Sequence, residues 1–110
     1  MFSEKLGGAL IVHVIIQKRI WDAKFKYPDS SSALEAWYRI IHSNNFENYA
    51  VLKQTFSSVD TVDDKYVFDI GGNKLRLIAN IHFNRQKLYI RDVLTHKEYD
   101  KQEWKLNKLN

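Results

Sequence analysis

The stretch KYVFDIGGNKLRLIANIHFNRQKLYIRDVLTHKEYD, residues 65–100, decides the fold. KYVFDI (65–70) is rich in branched and aromatic side chains and reads as a strand. Gly71, Gly72 and Asn73 accept the positive backbone angles of a tight hairpin, and KLRLIANIHF (74–83) returns beside the first strand. Asn84, Arg85 and Gln86 then turn the chain into KLYIRDVL (87–94), which completes a three-stranded antiparallel meander. A period of two puts Leu75, Leu77, Ala79 and Ile81 on one face of the middle strand. Lys74, Arg76, Asn80 and His82 fall on the other, with Ile78 among them, and in the last strand Tyr89, Arg91 and Val93 share a face opposite Leu88 and Ile90. One face is therefore expected to pack on helices while the other stays polar and basic. Thr95 and Glu98 have the spacing of a capping box, so a short terminal helix is expected from about His96 through Trp104.

Upstream, ALIVHVII (9–16) is apolar except for His13 and reads as a first strand, with His13 a satisfied core or edge residue. Between Lys18 and Tyr27, Ile20, Trp21 and Phe25 fit one side of a short helix that Pro28 ends. Ser32 and Glu35 suggest a capping box for a second helix, whose apolar stripe is Ala33, Ala36, Trp37, Ile40 and Ile41. A third helical stretch is read from Glu47 to Phe56, and SSVDTVDD (57–64) as a polar loop. The expected architecture is one α+β domain over residues 1–110: a small antiparallel sheet, made of the N-terminal strand plus the meander, with helices on one face and a short C-terminal helix. Residues 102–110 are expected to fray.

With 110 residues and 45% apolar content, the chain supports a single core. It has no cysteine, which excludes disulfides and thiolate metal sites and points to a reducing cytoplasm. No apolar run reaches membrane-spanning length, and the opening MFSEKLGGALIVHVII reads as a strand, not a leader, because Lys18 and Arg19 follow without a small-residue cleavage site. Net charge is +4, and it is uneven: residues 74–110 hold nine Lys and Arg against four acids, whereas residues 1–73 hold eight against nine. Clustered charge of this kind attracts polyanions, although a merely solvated basic face has the same composition.

The side chains with chemistry converge where the meander ends. Arg76 and Arg91 can share the polar face, and Thr95 places His96 in the first turn of a helix, where free N–H groups favour an anion and a neutral imidazole. Tyr99 and Asp100 follow at spacings that return to the face of His96. Two arginines, a histidine and a tyrosine suit attack of a ribose 2′-hydroxyl on the adjacent phosphorus. A purely structural arrangement, with Arg91 paired to Asp100 or Glu98 and His96 only starting the helix, fits the spacing as well. Metal chemistry finds no motif: His13, His42, His82 and His96 lack ligand spacing, and Asp60, Asp63 and Asp64 lack the glycine and distal glutamate of a calcium loop. GGNK (71–74) lies between strands, not before a helix, so it is a hairpin and not a phosphate loop.

YVFDIGGNKLRLIANIHFNRQKLYIRDVLTHKEYDK (66–101) resembles the core of HigB-like mRNA interferase toxins of the RelE superfamily, in which V-F-N-I-G-G-N-K-Y-R-L leads to Y-I-R-x-V-x-T-H-x-E-Y-D. VHVI (12–15), ALEAWY (33–38) and VLKQTFSSVD (51–60) extend the likeness more loosely. The resemblance implies a RelE-like fold and cleavage of translated mRNA in the ribosomal A site without metal or other cofactor. It further implies a HigA-type helix-turn-helix antitoxin as partner, with operator DNA reached only through that antitoxin, and no membrane role. The family's shared polar positions fall on Lys74, Arg76, Arg91, His96, Tyr99, Asp100 and Lys101. Among these, Arg76, Arg91, His96 and Tyr99 are expected to be catalytic, and Lys74 and Lys101 are expected to bind RNA together with His82 and Lys97. Asp69 stands where the family usually has Asn, and Asp92 where an apolar residue or an acid appears. Residues 1–11 precede the family pattern as an N-terminal extension. A non-catalytic RNA- or ribosome-binding module, or a RelE-fold toxin with another target, remains an alternative.

Overall fold

The computed structural model describes residues 5–6, 9–10, 13–15, 17–72 and 74–106. Short strands β1 (Lys5–Leu6), β2 (Ala9–Leu10) and β3 (His13–Ile15) lead into helices α1 (Lys18–Lys26), α2 (Ser31–His42) and α3 (Tyr49–Thr55). Strands β4 (Asp60–Val62), β5 (Lys65–Ile70), β6 (Leu75–His82) and β7 (Lys87–Thr95) follow, then helices α4 (His96–Lys101) and α5 (Glu103–Leu106). The larger sheet has the order β3-β7-β6-β5-β4, and β1 and β2 pair with each other alone.

The meander forms in the expected order. Gly71 and Gly72 take φ of +67° and +62° between β5 and β6, and a side chain at Gly71 would also press on Ser30 Oγ, 3.2 Å from an ideal Cβ. Asn73 and the stretch joining β2 to β3 lie outside the described residues. The sheet is mixed, not wholly antiparallel: β3 runs parallel to β7, with Val14 opposite Leu88. Parallel neighbours need a long crossover, and here the helices and the other strands supply it. The segment expected to be a polar loop contains β4, which pairs with β5 around a turn at Asp63, φ +58°. Asp60 within it, and Asp63 and Asp64 just after it, suit an edge strand, and Val59, just before it, is fully buried.

The helices cover the face carrying Leu75, Leu77, Ala79, Leu88 and Ile90, which with Phe68, Leu34, Trp37 and Ile41 form the main core. In α1 the buried residues are Ile20 and Ala23, whereas Trp21 and Phe25, expected inside, are 45% and 90% exposed. In α2 Leu34 takes the place expected for Ala36 and Ile40, because the stripe is centred on Leu34, Trp37 and Ile41. The Ser32–Glu35 box is not the start of that helix. A 3-10 turn from Pro28 to Ser30 feeds the chain directly into Ser31, and Glu35 pairs instead with Lys24 at 3.2 Å and Arg39 at 3.6 Å.

Gln86 closes the β6–β7 connection in the left-handed region, φ +53°, and is buried. Its side chain accepts from Phe46 N at 3.0 Å and donates to Phe46 O at 2.7 Å, so one amide serves the backbone of a distant loop. Its own carbonyl accepts from His13 N at 2.7 Å, which joins β3 to the meander. Gln86→Ala leaves both backbone groups of Phe46 without these partners and is expected to lower the unfolding free energy by about 2 kcal/mol. Urea denaturation checks this, and an unchanged midpoint would show that Gln86 does not hold the loop.

Candidate active site

The site is built on the outer face of β5, β6 and β7, opposite the helices. Asp69 of β5 lies across from Arg76 of β6, and Leu75 lies across from Thr95, the last residue of β7. That register brings the start of α4 beside the start of β6, where His96 N donates to Lys74 O at 3.2 Å. The expected capping box forms: Glu98 N donates to Thr95 Oγ1 at 3.1 Å, and Thr95 N to Glu98 Oε1 at 2.9 Å. With the amides of His96 and Glu98 occupied, and α4 only six residues long, the helix start positions His96 and is not an anion cradle. The terminal helix does not run on to Trp104, because Gln102 turns left-handed at φ +61° and separates α4 from α5.

Arg76 is the centre of the group and is only 9% exposed. Its Nε lies 3.1 Å from Asp69 Oδ1, and its Nη2 lies 2.9 Å from His96 Nδ1. A guanidinium only donates, so Nδ1 of His96 is the acceptor and the ring proton sits on Nε2. Nε2 in turn lies 3.2 Å from Asp100 Oδ2. The Arg76 guanidinium is 5.5 Å from the centre of the Tyr99 ring, a cation–π distance. Burial raises the Tyr99 pKa above the ordinary phenol value, with Arg76 opposing, so the hydroxyl is protonated at neutral pH.

Trp104 holds this arrangement from outside. Its ring stacks on Tyr99 with centres 5.2 Å apart and an interplanar angle of 16°, and its Nε1 donates to Tyr99 O at 3.0 Å. It is 7% exposed and packs with Val67 and Ile78 into a second small core on the outer face. Sequence reasoning singled out neither Asp69 as the partner of Arg76 nor Trp104. The only signal for Asp69 was its departure from the family's Asn, and for Trp104 a tryptophan within a mostly polar tail.

Arg91 does not join this group as expected. It is the residue of β7 left without a register partner: Ile90 pairs with Ala79, and Asp92 with Ile78. This bulge shifts the alternation, so Val93 packs on the main core and Leu94 on the Trp104 side, whereas an unbroken strand would keep Val93 with Arg91. Arg91 Nε donates to Asn80 Oδ1 at 2.6 Å, and its guanidinium lies 5.6 Å from the Tyr89 ring. Neither Asp100 nor Glu98 takes it, since the first faces His96 and the second caps α4. His82 is exposed beside Tyr89, rings 5.4 Å apart and perpendicular, and Lys74, Lys97 and Lys101 are exposed around the His96 end.

A cleft of about 500 Å³ lies elsewhere, between α1 and the edge of β7, lined by Lys18, Arg19, Lys26, Asp22 and Asp92. The Arg76–His96–Tyr99 group sits on an open surface, which suits a polymer better than an enclosed small molecule.

Fold and site together define a RelE-like α+β domain with a His–Arg–Tyr group on a basic sheet face. Residues 30–102 match the family model HigB_toxin, the RelE-like toxic component of a toxin-antitoxin system, and the chain belongs to that family. It is 45% identical over 92 residues to the mRNA interferase toxin HigB of Escherichia coli K12, covering 81% of this chain and 88% of that protein. The mRNA interferase HigB of Shigella flexneri matches to the same extent. That of Escherichia coli O6:H1 is 32% identical over 93 residues, 82% of this chain and 90% of the relative. Trp104 lies just past the end of the family match.

Trp104→Ala is expected to lower the unfolding free energy by about 3 kcal/mol and to free the Tyr99 ring. The release reads out as loss of the ring-current shift on the Tyr99 proton resonances, and Trp104→Phe keeps most of it. Unshifted Tyr99 resonances in the alanine variant would mean that the stack does not exist in solution.

Proposed function

We propose that this chain is an mRNA interferase, an endoribonuclease that cuts translated mRNA in the ribosomal A site and is silenced by a bound HigA-type antitoxin. The observation that carries the reading is His96 held between Arg76 and Asp100 beside a protonated Tyr99, on the basic face of a chain in the HigB_toxin family. The names of the relatives support the activity, and toxin-family membership supports an antitoxin partner. That partner carries the helix-turn-helix, and operator DNA is reached through it alone.

In the proposed reaction the ribose 2′-oxygen attacks the adjacent phosphorus and the bond from phosphorus to the 5′-oxygen breaks. The 2′-hydroxyl proton passes to the His96 imidazole, whose Nδ1 lone pair becomes free when the substrate phosphate draws the Arg76 fork toward itself. Tyr99 gives its proton to the departing 5′-oxygen. The products are a 2′,3′-cyclic phosphate and a 5′-hydroxyl, with no water consumed in the cleavage step and no step routed through a cofactor. Asp69 keeps the Arg76 charge in place, and Lys74, Lys97 and Lys101 attract the phosphate backbone.

Induced without antitoxin, the protein is expected to arrest growth, and mapped mRNA fragments should end in 2′,3′-cyclic or 3′-phosphate. His96→Ala should lower the cleavage rate by about 10²- to 10⁴-fold while leaving folding and ribosome association intact. Arg39→Ala, on the helix side of the molecule, is the control and should lose little. Fragments with 3′-hydroxyl ends would overturn the mechanism, full cleavage by His96→Ala would take His96 out of the chemistry, and ribosome association without any cleavage by the wild type would leave a binding module in place of an enzyme.

A further inference from the structure

The two arginines of the outer face differ in what they have left to offer a ligand. Arg76 is engaged by Asp69, His96 and, more weakly, Leu75 O at 3.4 Å, and its charge is matched by a carboxylate at 3.1 Å. Arg91 spends one donor, Nε, on Asn80, and its terminal nitrogens make no hydrogen bond or ion pair among the described residues. Arg76 and Asn80 lie four residues apart on one face of β6, about 13 Å along the strand. Ile78, under Trp104, fills the space between them. The face thus has two polar ends with an apolar step in the middle.

We propose that Arg91, Asn80, Tyr89 and His82 form a separate subsite for a nucleotide neighbouring the one that is cut. Arg91 holds its phosphate, and the planar groups of Tyr89 and His82 hold its base. This rests on the endonuclease reading above and deepens it.

Three features support the assignment. The first is the bulge at Arg91, which takes the residue out of register between Ile90 and Asp92 and aims its side chain along the sheet toward Asn80, away from the His96 end. The second is the buttress: Asn80 Nδ2 donates to Asp64 O at 3.0 Å, which turns the amide oxygen toward Arg91 and fixes Nε, so that the free side of the fork faces outward. Arg76, by contrast, already has protein acceptors at Asp69, His96 and Leu75 O. The third is the rings: Tyr89 is half-exposed, His82 is exposed, and they meet at 86° with centres 5.4 Å apart. Perpendicular planar groups beside a guanidinium make a corner for a flat, unstacked base, the form in which single-stranded RNA is recognised. Because the Arg76 charge is internally matched, Arg91 supplies the fixed positive charge for a phosphate at this end of the face.

The test is single-turnover cleavage on ribosomes programmed with a defined mRNA, followed as a function of toxin concentration. Arg91→Ala and Tyr89→Ala should each raise the half-saturating concentration about tenfold, with the saturated rate falling less than about threefold. Arg76→Ala should lose mainly the saturated rate. An mRNA with abasic nucleotides placed in turn beside the cut should show one position at which the wild type weakens about tenfold and Tyr89→Ala does not weaken further. Loss of the saturated rate in Arg91→Ala equal to that in Arg76→Ala, or the absence of such an abasic position, overturns the subsite. Failure of the endonuclease reading looks different: wild-type protein then cuts nothing on ribosomes. In that event anisotropy with a labelled single-stranded oligoribonucleotide decides the subsite. Weaker binding by Arg91→Ala and Tyr89→Ala than by Arg39→Ala upholds it as a binding site, and equal binding ends it.

Discussion

A guanidinium that is nine-tenths buried on a sheet must find a counter-charge, and Asp69 supplies it for Arg76. The pair is set by the β5–β6 register, which places the two residues directly opposite each other. Breaking one side of such a pair leaves an uncompensated charge away from water. Once Arg76 is held there, its remaining donors and its flat face are fixed in space. His96 accepts from one edge and Tyr99 lies against the face, so the candidate reactive groups are arranged around one ion pair.

That centre depends on β6 being covered on both sides. The helices bury Leu75, Leu77 and Ala79, while Trp104 and Tyr99 close over Ile78 on the outer face. A surface strand with one wet face would leave Arg76 hydrated and mobile. The small outer core excludes water from part of the site and raises the Tyr99 pKa, yet His96 and Asp100 stay at the solvent edge where a polymer can approach.

Three local signals in the sequence were strong and correct. Two glycines between strands make the β5–β6 turn, Thr95 and Glu98 cap α4, and alternation along β6 separates the core side from the outer side. Each depends on residues within a few positions of one another, where propensity and hydrogen-bond geometry act without the rest of the chain. Arg76, His96 and Tyr99 were legible as a candidate group for that reason, since the strand period and the cap fix their relative positions.

Some local signals also misread, since the Ser32–Glu35 box does not cap α2 and α4 stops at Gln102, but most features that read wrongly or not at all are long-range. Periodicity cannot distinguish a parallel from an antiparallel neighbour for β3, nor a charged loop from the edge strand β4. It also cannot foresee the bulge that removes Arg91 from the Arg76 group, because a bulge is a mismatch between two strands and belongs to neither alone. Helix α1 offered Trp21, Phe25, Ile20 and Ala23 as apolar residues, and only its angle against the sheet chose the last two for burial. Asp69 and Trp104 are separated from Arg76 and Ile78 by turns and helices. The sequence alone determined most of the segments that become strands and helices, β4 excepted, and their starts to within a residue or two. Tertiary packing decided which side chains meet, because pairing and stacking energies arise only after distant segments share a surface.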